Sequence, residues 1–353
     1  MVLANIYEAI AELTVKYFYL LTVPVKILIF PGFAFVLGYI IIMIWFERKF
    51  HARIHLRIGP FHVGPAMGLF QPVADALKLM GKEVIIPDQA VKPLYSLAPL
   101  AVVAISMLGM AVIPFGPIGP FQNWSIYPSS LSLLIVLAVF AARPLIILSA
   151  GWASNNKYCT IGALRAAFQL YAYEVPLLLA AVGVASVAGS FDLTRIVETQ
   201  SSMWFVFSQP LGFIVFFLAM MAEVGRRPFD IPHAEQEIVF GWCTEYTGVQ
   251  FLCFMLSEYV DLLIGSLLVA LLFLGGWQGP PVFPPLVWFL AKVVFVTVLM
   301  IMGRGAFPRI RIDQLLDAGW KILIPLAIVQ IVLTMLLLEI NLTWIPFGSK
   351  VMI

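Results

Sequence analysis

Long apolar runs dominate the chain, separated by shorter polar stretches. Eight runs are near the ~20 residues that a helix needs to cross a bilayer: 24–46, 94–114, 130–150, 168–190, 203–224, 249–275, 284–303 and 321–343. Pro and Gly clusters punctuate several connections, as at Pro114–Pro120 and Gly275–Pro285. The pattern predicts an all-α polytopic membrane protein, one integral domain over 1–353. No internal repeat is visible, which counts against an inverted-repeat carrier. Ahead of the first span, Leu3, Ile6, Ile10 and Leu13 recur at helical spacing, as expected of a helix lying on the membrane or running into the first span. Glu8 and Glu12 stand where a cleavable leader would be basic, so none is predicted.

Composition strengthens this reading. The 353 residues are 62% hydrophobic and 11% charged, against about 25% charged in a typical soluble domain. A soluble fold cannot hide so much apolar surface. A net charge of +2 gives no reason to expect nucleic acid as a partner. The 3 cysteines lack CxxC spacing, so no metal or cluster is expected on this chain.

Charge then orients the spans. Most of the 21 Lys+Arg fall in loops 47–93, 151–167, 225–248 and 304–320. Lys16, Arg195 and Lys350 are the bases of the opposite side, and Lys26, Arg143 and Lys292 fall within spans. The positive-inside bias places the four large loops in the cytoplasm and both termini outside. The loop over 47–93 contains a helical pattern at 66–83, with Met67, Phe70, Val73, Leu77 and Met80 on one face and Asp75, Lys78 and Lys82 off it. Such a helix suits a membrane interface or a docking surface. Lys49, Arg53 and Arg57 form an i,i+4 basic stripe, fitted to lipid phosphates or an acidic partner.

Some charges fall where they are expensive. Glu174, Glu223, Glu258 and Asp261 lie in or at the ends of spans. Glu258 and Asp261 share a helix face about 15 Å into their span. Carboxylates so close cannot both ionise cheaply, which suits a proton relay. The alternative is a structural pair satisfied by Arg143 or Lys292. Loop 225–248 adds Asp230, His233, Glu235, Glu237 and Glu245, with Pro228 and Pro232 keeping its first part irregular. It reads as a solvated loop or as an acidic funnel supplying protons. The chain carries no phosphate loop, dinucleotide fingerprint, zinc-protease signature or nucleophile elbow. It must bind a diffusing substrate or couple to a partner.

Several loop strings are long and specific. They are Glu-Arg-Lys…Arg-x-Gly-Pro-x-x-Val-Gly-Pro (47–65) and Leu-Phe-Gln-x-x-Ala-Asp-x-x-Lys (69–78). Next come Gly-Trp-x-Ser-Asn-Asn-Lys-Tyr (151–158) and Gly-Ala-Leu-Arg-Ala (162–166). Ala-Glu-x-x-Arg-x-Pro-Phe-Asp-x-Pro-x-Ala-Glu-Gln-Glu (222–237), Thr-Glu-Tyr-Thr-Gly (244–248) and the set Pro308, Arg309, Arg311, Asp313, Gln314 complete them. Together they resemble the quinone-site membrane subunit of respiratory complex I, over nearly the whole chain.

The resemblance implies eight spans and a quinone chamber shared with a soluble iron–sulfur subunit at the cytoplasmic loops. It implies no cofactor on this chain, quinone as substrate, and antiporter-like membrane subunits and lipids as further partners, in a prokaryotic plasma membrane. By motif position, Glu47, Arg48, Arg57, Asp75, Arg165, Asp230, Arg309, Arg311 and Asp313 line the chamber and its entrance. Glu174, His233, Glu235, Glu237, Glu245 and Glu258 form the proton path. His233, Ala52, His55, Phe61 and His62 depart from the usual family residues. These departures resemble archaeal relatives, in which menaquinone-like or phenazine acceptors occur. Two rivals follow: the equivalent subunit of a membrane-bound hydrogenase, which uses no quinone, and a stand-alone proton-coupled transporter.

Overall fold

The computed structural model describes residues 22–64, 67–118, 123–232 and 234–339. The amphipathic pattern over 3–20, His233 and the side chain of Glu235 lie outside the described residues. The described residues are helical, with α1 at Phe33–Ile54, α2 at Gln71–Met80, α3 at Lys92–Ala111 and α4 at Ser132–Ala153. They continue with α5 at Lys157–Ala188, α6 at Leu193–Thr199, α7 at Pro210–Glu223, α8 at Gly248–Phe273 and α9 at Pro285–Ala306. The last helix, α10, joins Ile312–Asp317 to Ile324–Glu339 through a π-helical turn at Ala318–Leu323.

Among the described residues, 7 helices are long and apolar enough to cross a membrane. The eighth expected span, 203–224, is a 14-residue helix, α7, preceded by a single turn at Phe205–Ser208. At 1.5 Å per residue α7 is about 21 Å long, short of a ~30 Å hydrocarbon core. The break has a local cause. Pro210 has no N–H to continue the preceding turn, and Gln209 adopts φ −131°, ψ 61°. The fourth span is longer than the apolar run over 168–190 predicted. α5 starts at Lys157, where Asn156 accepts a capping bond from Tyr158 N at 2.9 Å. Its 32 residues reach about 48 Å, so roughly three turns stand beyond the bilayer.

The core is built round α8, which packs against α2, α3, α7 and α9, while α5 packs against α4, α7 and α10. Residues Asp261–Phe273 are buried without a gap, as expected of a helix that is apolar all round. α10 has only 22% of its apolar window buried. Its Val329, Val332, Leu333 and Leu336 are exposed, a surface suited to lipid or to other membrane subunits.

The basic loops converge at one end of the bundle and are tied to each other. Tyr95 of α3 stacks on Tyr246 with ring centroids 4.2 Å apart and donates a hydrogen bond to the Glu245 backbone oxygen at 2.7 Å. Tyr246 donates to the Ala150 carbonyl at 3.1 Å. Gly162 of α5 lets this loop lie against the helix. A Cβ there would meet Trp242 N at 2.6 Å.

Candidate functional site

The loop after α7 is held open by its sequence. Pro228 and Pro232 exclude a regular helix, and a turn closes from Arg226 to Phe229 (2.9 Å). Phe229 packs edge-on against Tyr173 of α5 at 5.3 Å. The turn aims Arg226 into the bundle, where it meets Glu47.

Glu47 is 2% exposed, on the inner face of α1. Arg226 Nη1 donates to both of its oxygens, at 2.9 and 3.0 Å. Arg304 of α9 donates at 2.7 Å and Tyr259 Oη of α8 at 2.9 Å. His51, one turn on, places Nε2 at 3.8 Å. Burial alone would lower the Arg226 pKa. Glu47, Tyr259 and Glu258 together outweigh burial and raise it. A buried carboxylate with donors from three other elements is a fastener. It ties the end of α1 to the loop after α7 and to α8 and α9.

Beside this fastener lies a cavity of about 130 Å³, lined by Arg226, Arg227, Asp230, Arg304, Arg309 and Glu258 over an apolar floor that includes Phe251, Phe254 and Met255. Asp230 is shared by Arg309 at 3.1 Å and Arg227 at 3.4 Å. A second cavity of about 30 Å³, one water in size, is lined by Arg143, Gln169, Glu223 and Glu258 among others. Glu258 faces both spaces. Deeper still, Arg143 lies 3.0 Å from Asp261, and Ser106 donates to Asp261 at 2.7 Å. Of the two counter-ions weighed for the Glu258–Asp261 face, Arg143 is the one that meets Asp261. Lys292 instead donates to three backbone carbonyls, of Leu274, Gly276 and Gln278.

The structure thus brings Glu47, Asp230, Glu258 and Arg309 together and leaves other expected residues apart. Arg165 pairs with Glu237, whose side chain is 62% exposed, on the N-terminal extension of α5. Glu245 accepts from Asn156. Arg48 pairs with Asp75 of α2 at 2.5 Å, and Arg311 with Asp313 at 3.1 Å, on the surface. None of these lines either cavity. Arg57 does not continue the basic stripe. The helix ends at Ile54, Leu56 turns left-handed (φ 54°), and Arg57 is exposed coil. Glu174 is half-buried on α5, within electrostatic reach of Glu223. Sequence reasoning missed Arg304, Tyr259 and Gln169. Gln169 Nε2 ties Ala222 O (2.8 Å) to Phe229 O (2.7 Å) and so shapes the inner cavity. Among the described residues no group of three or more His, Cys, Asp or Glu is placed to hold a metal.

Comparison with known proteins decides the family. A model described as NADH dehydrogenase matches residues 25–335. The chain belongs to the NADH dehydrogenase family. It is 45% identical over 309 residues to the H subunit of NADH-quinone oxidoreductase from Bacillus mycoides (strain KBAB4), covering 86% of this chain and 91% of that one. It is 44% identical over 303 residues to the protein of the same name from Geobacillus thermodenitrificans (strain NG80-2), covering 85% and 90%. The family membership and the helices make it a membrane subunit of a complex I-type oxidoreductase, integral to the plasma membrane. Within this NADH dehydrogenase family member, the resembling motifs are those that build the basic end of the bundle.

Proposed function

We propose that the chain forms the membrane-side wall of a quinone chamber and passes the redox event inward through buried carboxyls to partner proton channels. The observation that carries this is the position of Glu258, which borders both the basic cavity at the cytoplasmic end and the one-water cavity that leads to Glu223. The larger cavity, at about 130 Å³, is smaller than the roughly 300–1,000 Å³ of a complete small-molecule site. That size suits one wall of a chamber closed by a soluble iron–sulfur subunit. Arg226, Arg227, Arg304 and Arg309 line it, so negative charge arriving on a reduced headgroup meets fixed donors. The iron–sulfur cluster belongs to the soluble partner and supplies the electrons. This chain's part is to hold the headgroup, exclude bulk water and deliver protons at Glu258. Changed protonation there biases antiporter-like partner subunits. The relatives are subunits of NADH-quinone oxidoreductases by name, which favours this reading over a quinone-free hydrogenase component.

The test uses the whole complex in proteoliposomes. Glu258→Gln is expected to keep assembly and iron content while quinone-linked proton pumping collapses. Normal pumping in that variant sinks the proposal. Activity insensitive to every quinone-site inhibitor would instead assign the chain to the hydrogenase branch.

A further inference from the structure

One buried cation serves two buried carboxyls between α4, α7 and α8. Arg143, Glu223 and Asp261 are 6%, 2% and 1% exposed. The Arg143 guanidinium approaches Asp261 Oδ2 at 3.0 Å and also donates to the backbone oxygen of Glu223 at 3.2 Å. It therefore already touches the residue whose carboxyl it does not yet hold. Arg143 Nε and Glu223 Oε2 are buried and make no hydrogen bond among the described residues. Such unmet groups cost free energy and favour an alternative pairing. Arg143 and Glu223 share the walls of the one-water cavity with Glu258 and Gln169. The other polar groups facing this cluster are Ser106 on α3, which donates to Asp261, and Glu174 on α5, which interacts with Glu223.

We propose that Arg143 is a mobile counter-ion shared by Asp261 and Glu223, and that its choice of partner decides which of the two carboxyls carries a proton. In one state the guanidinium holds the Asp261 carboxylate and Glu223 is the acid. In the other it holds the Glu223 carboxylate and Asp261 is the acid. Interconversion moves one proton and one guanidinium and leaves the buried charge unchanged. That balance is what makes the exchange affordable in an apolar bundle, where uncompensated charge is excluded. Arg143 is a positioning residue here; the protons travel on the carboxyls. The inference gains its consequence from the proton path proposed above. Its test reads the side chains directly, so the two can fail separately.

The test is infrared spectroscopy of the purified whole complex, following the carbonyl stretch of protonated carboxyls. The Glu223 band is identified as the one lost in Glu223→Gln. In Asp261→Asn the guanidinium is left beside Glu223, whose backbone oxygen it already holds, so this band is expected to disappear although Glu223 is intact. In the double variant Arg143→Gln/Asp261→Asn no cation remains, and the band is expected to return. The double variant removes the charges as a pair, which keeps the test alive if Asp261→Asn assembles poorly. Persistence of the band in Asp261→Asn, or its absence from the double variant, overturns the proposal. Unchanged quinone-linked proton pumping in these variants, with the spectra as expected, would count against the proton-path reading alone.

Discussion

Replacing Glu47 by alanine strands a guanidinium inside the protein. Arg226 has an 11% exposed side chain and loses the carboxylate that accepts both of its hydrogen bonds, whereas Arg304, 43% exposed, can turn to water. Removing one partner of a buried pair costs about 3–5 kcal/mol, and the exposed arm adds about 0–1 kcal/mol. The Tyr259 hydroxyl loses its acceptor as well, worth about 1 kcal/mol. The cost falls on the fastener between the loops, so local opening of 225–232 and of the end of α9 should become easier. Hydrogen exchange of those amides in the purified complex is expected to accelerate by about three to five powers of ten. The double variant Glu47→Ala/Arg226→Met removes the stranded charge and should recover most of the protection. Exchange within about threefold of the wild type in Glu47→Ala, or no recovery in the double variant, would refute the reasoning.

Four further expectations follow from the same geometry. Gly162→Ala puts a methyl 2.6 Å from Trp242 N; overpacking there should cost about 1–3 kcal/mol, read as a lower melting temperature of the complex. Glu237→Gln should alter stability by less than about 1 kcal/mol, because its pair with Arg165 is solvent-exposed, so a strong loss of turnover with normal assembly would place Glu237 on the proton path. Lys292→Met leaves three carbonyls without their donor, and proteolysis of the 274–278 turn in proteoliposomes should increase. Burial, with help from Glu258, holds the Cys243 thiol well above its ordinary pKa. Less of it is thiolate at any given pH, so mass spectrometry should find Cys243 unalkylated at neutral pH, with labelling rising only in strong base.

The spans were legible because apolar length is a local property of the chain. Even the break before α7 had a visible signal in Gln209-Pro210, hidden by apolar residues on both sides of it. The N-terminal extension of α5 was less visible, since Lys157, Thr160 and Arg165 interrupt its apolar run, which then reads as loop. The carboxyl pair of α8 could be found from its spacing. Its counter-ion could only be narrowed to Arg143 or Lys292, because which helices touch is decided by packing. Glu47 was found through its motif, but a buried fastener is a fact about four elements meeting. Nothing local to Arg304 or Tyr259 announces that they end on the same carboxylate.

The shortness of α7 has an electrical consequence. A voltage across a membrane falls chiefly across its insulating layer. α7 covers only about 21 Å of a ~30 Å layer, with Glu223 closing one end and Gln209, buried and bonded to Gln330, closing the other. A charge carried the length of α7 crosses about 0.7 of that layer and gains or loses about that share of the ~2.3 kcal/mol per 100 mV that a full crossing takes. Charge displaced next to Glu223 therefore takes up the membrane potential in proportion to the depth it covers.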